Sequence, residues 1–391
     1  MMRAPRTLIP LLLLAPVAAH AEIIAKSAIV IDAGSGKVLW EKDADTPRFP
    51  ASTTKIMTGL LLLEHCVPTE IITAPQDIEK IKEASLHLKP FEQVTAKDML
   101  YALMMRSAND GSHAVAVHIA GSVPAFAKMM NDRAKQIGCL NTNFHNPNGL
   151  NDPLHTTTAR DLALMAREAM KYEAFRDAVR TKKTTISRSI NWKDTSLKSH
   201  NKWLYKDPSA DGIKTGYTRP AGHCYVGSAT RNGFRVITAI LNSDKWQEDH
   251  KQMLDWAFAK FEKKHEIKAG QVVGSIAVKG GSVAEVEVSA QADLYAVGRK
   301  GEEDVELTFT VSELAAPIKQ GDVVGEMVLR DKDGFEQRVP VLAQESVAMT
   351  PIAAVAKTAN TNGLAVALGS LMFLGAYMAR GRRTMGKAVR Q

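Results

Sequence analysis

Ser52 and Lys55 stand three residues apart in Pro50-Ala51-Ser52-Thr53-Thr54-Lys55. At i and i+3 of a helix they share a face, so the amine can reach the hydroxyl, take its proton and activate it toward a carbonyl. A serine at a helix amino terminus also has free backbone N–H groups and the positive dipole end beside it, which favours an anionic intermediate. The spacing alone is common: Ser199-His200-Asn201-Lys202 matches it too, and a lysine solvating a helix end is the usual meaning of such a pair. Ser107-Ala108-Asn109 falls at a break between two helical stretches, where polar side chains can face a cleft. Ser189-Ile190-Asn191 and Ser199-His200-Asn201 share that pattern, and a loop Ser/Asn pair is ordinarily a turn or a cap. Lys214-Thr215-Gly216 occurs once, on a segment with strand bias. There the glycine admits a ligand to the backbone while Lys and Thr project toward one cleft.

Metal chemistry has little support. The 11 histidines include no H-E-x-x-H pair, and Cys66, Cys139 and Cys224 are odd in number and widely spaced. No metal or other cofactor is expected. The cysteines read as small buried side chains, with one disulfide plus a free thiol as the alternative.

The elements that must position these groups follow from periodicity. Residues 28–40 alternate as a hairpin turning at Gly34-Ser35-Gly36, and helical periodicity runs over 52–65, with Ile56, Leu60 and Leu63 on one face. Further helices are expected at about 97–105, 111–120, 124–137 and 157–172, a second hairpin at 224–230 and 234–242, and a helix at about 246–263. Strands, then helices, then strands predict an α/β (α+β) body: an antiparallel sheet covered by helices, with a helical insertion. From about 266 short β-branched runs with glycine turns predict a separate small all-β domain.

The 391 residues carry a formal charge of +8, but residues 1–21 hold +2 of it and 363–391 hold +5, leaving +1 for the body. That gives no footprint for a nucleic acid. Arg3 and Arg6, the Leu8–Ala15 run and Ala19-His20-Ala21 predict a cleaved signal peptide over 1–21. Gly363–Ala379 is uncharged and mostly apolar, and Arg380 to Arg390 supply five cations after it. These predict a membrane-spanning anchor over 363–379 with a basic cytoplasmic tail, 380–391. The expected layout is completed by a catalytic domain, 22–265, the all-β domain, 266–343, and a tether, 344–362.

S-x-x-K, S-x-N and K-T-G in this order are the signature triplets of penicillin-binding proteins and β-lactamases. Residues from about 25 to 345 resemble the low-molecular-mass penicillin-binding proteins of the D-alanyl-D-alanine carboxypeptidase family. The likeness extends to Ser107-Ala108-Asn109-Asp110, Asn146-Pro147-Asn148-Gly149-Leu150, Thr157-Thr158-Ala159-Arg160-Asp161 and Asp211-Gly212-Ile213-Lys214-Thr215-Gly216-Tyr217-Thr218. The resemblance implies a penicillin-binding-protein/β-lactamase-like sheet with a helical subdomain. It also implies an exported, membrane-anchored enzyme acting on peptidoglycan stem peptides and acylated by β-lactam antibiotics. Ser52 would be the nucleophile, Lys55 the general base, Ser107 a proton relay and Asn109 an orienting group. Lys214 and Thr215 would bind the terminal carboxylate beside Gly216, and the N–H groups of Ser52 and Tyr217 would form the oxyanion hole. Burial and the charge of Lys214 are expected to depress the Lys55 pKa. Two rivals share the fold: a β-lactamase, which commonly needs an E-x-x-L-N segment not found between the second and third triplets, and an inert peptidoglycan-binding scaffold.

Overall fold

A computed structural model of the chain describes residues 22–81, 84–302, 305–310 and 314–353. The signal peptide expected at 1–21, the anchor at 363–379 and the tail at 380–391 lie outside the described residues. No helix among the described residues is long and apolar enough to cross a membrane.

The first hairpin forms from β1 (Ser27–Asp32) and β2 (Val38–Lys42). The segment bearing Lys214 is itself a strand, β3 (Ala210–Thr218), and is followed by β4 (Gly222–Arg231) and β5 (Phe234–Leu241). Together they make an antiparallel five-stranded sheet in the order β2-β1-β5-β4-β3, so β3 is an edge strand. Both faces are covered. Ile237, Ala239 and Leu241 join the main apolar core, while the alternate residues Phe234 and Thr238 meet Phe258 and His250 of the helix α7 (Trp246–Lys260).

Between the two strand groups lie α1 (Lys55–His65), α2 (Ala96–Tyr101), α3 (Asn109–Ala120), α4 (Val123–Ile137), α5 (Ala159–Ala169) and α6 (Glu173–Arg180). Side-chain caps start three of them, Thr95 for α2, Ser122 for α4 and Thr158 for α5. α1 departs from the one-faced helix expected of it. Met57, Leu61 and Leu62 are buried as deeply as Ile56 and Leu60, while Leu63 is only half-buried. It is the central helix of the subdomain, and Gly59 lets it pack close: a Cβ there would stand 3.1 Å from Met104 Cε and 3.2 Å from Leu100 Cδ1.

The chain divides between Ala259 and Lys260. The helix expected to reach 263 ends at Lys260 because Phe261–Ile267 is a strand that pairs with Leu294–Arg299. The second unit is all β, with an apolar core that includes Val286, Val288, Leu294, Met327 and Val341. The tether expected from 344 does not begin there. Val347 is buried and exchanges backbone bonds with Ile318, and Thr350 N donates to Gly280 O, so this stretch packs on the β unit.

Candidate active site

Ser52 sits in a 3-10 turn, Ala51–Thr54, immediately before α1. One helical turn on, the Lys55 side chain is fully buried, and its Nζ donates to Ser52 Oγ at 3.1 Å, Asn109 Oδ1 at 2.7 Å and the Asn148 carbonyl at 2.7 Å. Asn109 opens α3, and Ser107 lies just ahead of it in the left-handed region (φ 63°), at the end of a π-helical turn, Ala102–Arg106. Lys214 reaches in from β3, also buried, and its Nζ donates to Ser107 Oγ at 3.0 Å and to the Thr215 carbonyl at 3.0 Å. Two lysine–serine pairs thus face one cleft of about 550 Å³, lined by Ser52, Ser107, Asn109, Thr215, Gly216 and Tyr217 among others.

Removing an ammonium from water disfavours its charge. Burial, and then the positive charge of Lys214, hold the Lys55 amine well below the ordinary lysine range, while the Asp110 carboxylate pulls the other way. Burial alone pulls Lys214 down to about 7. Two of the three Lys55 partners are carbonyl oxygens, which can only accept. A neutral amine has two N–H bonds for those carbonyls and one lone pair left, which points the free basic position at the Ser52 hydroxyl.

Close backbone approach fixes the nucleophile's turn. A Cβ on Gly149 (φ 85°) would fall 1.8 Å from the Ala51 carbonyl oxygen, and one on Gly216 would fall 2.9 Å from Ser52 N. Only glycine fits either place. The Asn146–Leu150 loop is strapped to α1 by Thr58 Oγ1, which donates to the Pro147 carbonyl at 2.5 Å, and His155 ties the residue before it, His145, to the turn that bears Ser52. His145 N donates to His155 Nδ1, so Nε2 carries the proton and donates to Thr54 Oγ1 at 2.9 Å. Burial pushes this imidazole down to about 4, so it is neutral at pH 7.

The seven residues singled out by the motifs, Ser52, Lys55, Ser107, Asn109, Lys214, Thr215 and Gly216, meet at this cleft, as does Tyr217, which the resemblance alone implied. The decoy matches part from it: Ser189 and Asn191 bind Gln93 N and the Glu92–His87 stretch, and Ser199 and Asn201 bond within their own turn, Asn201 Nδ2 also donating to the Tyr225 hydroxyl. His200 and Lys202 do line the cleft, however. Four participants carry no sequence signal of their own role. Asn148 acts through its carbonyl. Asp110, buried, accepts from Leu86 N, Leu88 N and Ser85 Oγ and so fixes the segment 85–88, which follows the cleft-lining Ala84. The buried Glu92–Arg188 pair (2.8 Å) holds the same segment, Arg188 donating to the Leu86 carbonyl.

The three cysteines are free, Cys139 and Cys224 buried and Cys66 half-buried. At the end of α1 remote from Ser52, Cys66, Glu70 and His118 bring donor atoms within 4.8 Å of one another, with His118 hydrogen-bonded to Glu70.

Residues 15–245 match the family model of D-alanyl-D-alanine carboxypeptidases, and 261–349 match that of the penicillin-binding protein 5 C-terminal domain. The D-alanyl-D-alanine carboxypeptidase DacF of Bacillus subtilis (strain 168) is 34% identical over 334 residues, 83% of this chain and 86% of the relative. DacA of Escherichia coli (strain K12) is 31% identical over 343 residues, covering 83% and 84%. Penicillin-binding protein 5 from Haemophilus influenzae superposes with a TM-score of 0.70 at 27% identity, over 84% of this chain and 98% of that one. With the triplets gathered in one cleft and these matches spanning most of its length, the chain belongs to the D-alanyl-D-alanine carboxypeptidase family of serine peptidases.

Proposed function

We propose that the enzyme removes the terminal D-alanine from peptidoglycan stem pentapeptides through an acyl-enzyme on Ser52. The contact of Lys55 Nζ with Ser52 Oγ, inside a site that favours a neutral amine, carries this reading. Ser52 Oγ attacks the carbonyl carbon of the penultimate D-alanine as its proton passes to Lys55. The charge that develops on the carbonyl oxygen meets the N–H groups of Ser52 and Tyr217. Lys214 and Thr215 hold the terminal carboxylate, and Asn109 orients Lys55. The carbon–nitrogen bond then breaks as the proton that Lys55 took passes through Ser107 to the departing amine, which leaves Lys55 neutral again. Water, giving its proton to Lys55, hydrolyses the ester and restores the Ser52 hydroxyl.

A β-lactam presents the same carbonyl and would acylate the same serine. Ser52→Ala should abolish labelling by a fluorescent penicillin while leaving the melting temperature unchanged, and labelling that persists on another serine overturns the assignment. D-Alanine release from a diacyl-D-Ala-D-Ala peptide, measured against β-lactam turnover, separates this enzyme from a β-lactamase. The same reading assigns residues 1–21 to an export signal, the unit from residue 22 to Ala259 to the catalytic domain and the β unit from Lys260 to Thr350 to the all-β domain. A linker leads to a membrane anchor at 363–379 and a basic cytoplasmic tail at 380–391. The polarity of the charges around the two apolar end segments supports export and anchoring of the catalytic domain outside the cytoplasm.

A further inference from the structure

Beside the catalytic cleft lies a second hollow of about 630 Å³, lined by Lys198, Ser199, His200, Lys202, Tyr205 and Lys206. It adjoins the cleft through His200 and Lys202, which line both. Lys182 stands against one of its lining residues, its Nζ 5.7 Å from the centre of the Tyr205 ring, and Lys183 stands directly opposite Lys198 in a two-stranded ribbon. Like charges opposed across a ribbon repel. Among the described residues no carboxylate comes within ion-pair distance of these five lysines. The acids nearby in the chain are already engaged: Asp177 by Arg180, Asp194 by Arg106 and Arg188, Asp207 by Arg231. Lys206 has only an amide, donating to Gln247 Oε1 at 2.5 Å. All five are exposed. Residues 180–206 hold eight lysines and arginines against one aspartate, within a body whose formal charge is only +1, so the excess is local.

We propose that this hollow is an anion-binding annex of the active site, which takes carboxylates of the stem peptide upstream of the scissile bond and so favours acidic stem peptides over neutral ones. The proposal rests on the carboxypeptidase reading for its ligand. Its chemistry is that of carboxylates rather than of a planar fork: lysine ammonium groups are mobile point charges, suited to several separate carboxylates on a flexible chain. The adjoining cleft delivers such a chain, because the peptide whose terminal D-alanine lies against Lys214 must leave the cleft along its rim. A cluster of one sign beside a cleft raises the local concentration of oppositely charged ligand, and the effect collapses with salt as the Debye length shrinks.

The test compares two acyl-D-Ala-D-Ala peptides, identical except that the upstream carboxylates of one are amidated, at low and high salt. In the wild type kcat/KM should favour the carboxylate peptide about tenfold at low salt, and the preference should vanish at high salt. Lys183→Glu/Lys198→Glu should reverse the low-salt preference while kcat/KM for the amidated peptide stays within about twofold, which shows that the site is still assembled. Equal kcat/KM for the two peptides in the wild type at low salt, or a preference that survives the double substitution, overturns the annex. So does binding of anionic vesicles or polyphosphate that the double variant loses while the peptide preference is unchanged, since the lysines would then serve another partner. In the Ser52→Ala protein the same comparison is read as dissociation constants. An absence of D-alanine release by the wild type, with that binding preference intact in Ser52→Ala, would fell the carboxypeptidase reading and leave the annex standing.

Discussion

Replacing Gly216 by alanine adds one methyl group at the point where β3 presses on the nucleophile's turn. The new Cβ would stand 2.9 Å from Ser52 N, and 3.1 Å from both Pro50 O and Thr53 N. All three are backbone atoms, so no side chain can rotate away. The Gly216 backbone is outside the left-handed region, so alanine meets no conformational penalty and the whole effect belongs to the contact. Carbon contacts relax near 3.5 Å, so the strand and the turn must part by about half an ångström or more. That shift moves the Ser52 N–H away from the position where the carbonyl oxygen acquires charge. Losing one such donor costs about 100- to 1,000-fold in rate, and overpacking of this kind costs about 1–3 kcal/mol of stability. Gly216→Ala should therefore acylate with a fluorescent penicillin about 100-fold more slowly in stopped flow, lose D-alanine release in proportion, and melt a few degrees lower. An acylation rate within about threefold of wild type, with an unchanged melting temperature, would refute the idea that β3 sets the geometry of the Ser52 turn.

Two substitutions should move the pH dependence of acylation in opposite directions. Lys214→Met removes a positive charge that favours neutral Lys55, so the acid limb should shift to higher pH; Asp110→Asn removes a negative charge that favours the ammonium, so the limb should shift to lower pH, and shifts of the same sign would refute the pairing. Glu92→Gln removes the buried partner of Arg188 and leaves it only the Asp194 carboxylate at 3.6 Å, and should lower stability in urea titrations by about 3 kcal/mol, the low end of the cost of breaking a buried pair. His155, held near 4 in the fold, ordinarily titrates at 6.5. Between those values the unfolded state binds the extra proton, so stability is full above 6.5 and falls with acid, by about 3 kcal/mol at pH 4. His155→Gln should flatten that part of the stability–pH curve; an unaltered slope would place the proton elsewhere.

The parts of the site legible in the sequence are those in which a side chain does chemistry. Ser52, Lys55, Ser107, Asn109, Lys214 and Thr215 were found because hydroxyl, amine and amide must be supplied by particular residue types at spacings that local structure fixes. The groups that hold Lys55 from the far side were not legible. A carbonyl such as that of Asn148 belongs to every residue, and its direction is set by a loop 93 positions away in the chain. Asp110 and the Glu92–Arg188 pair look like ordinary surface charges until the fold buries them. In the fold, the two hairpins and most helices follow from periodicity. α6 is not legible because only Phe175, Ala178 and Val179 mark its buried side over two turns, and the stretch from Val347 to Thr350 resembles a tether because its one buried valine leaves no pattern.

β3 has a hydrogen-bonding neighbour on one side only, and it carries Lys214, Thr215 and Gly216. Its other margin offers amide and carbonyl groups that every extended chain can match, whatever its side chains. A mutation can change the ammonium or hydroxyl that projects from this strand, but it cannot delete the peptide backbone to which an inhibitor in substrate form would align. Compounds that draw their grip from that backbone would therefore leave the enzyme few single-residue escapes that do not also displace Ser52.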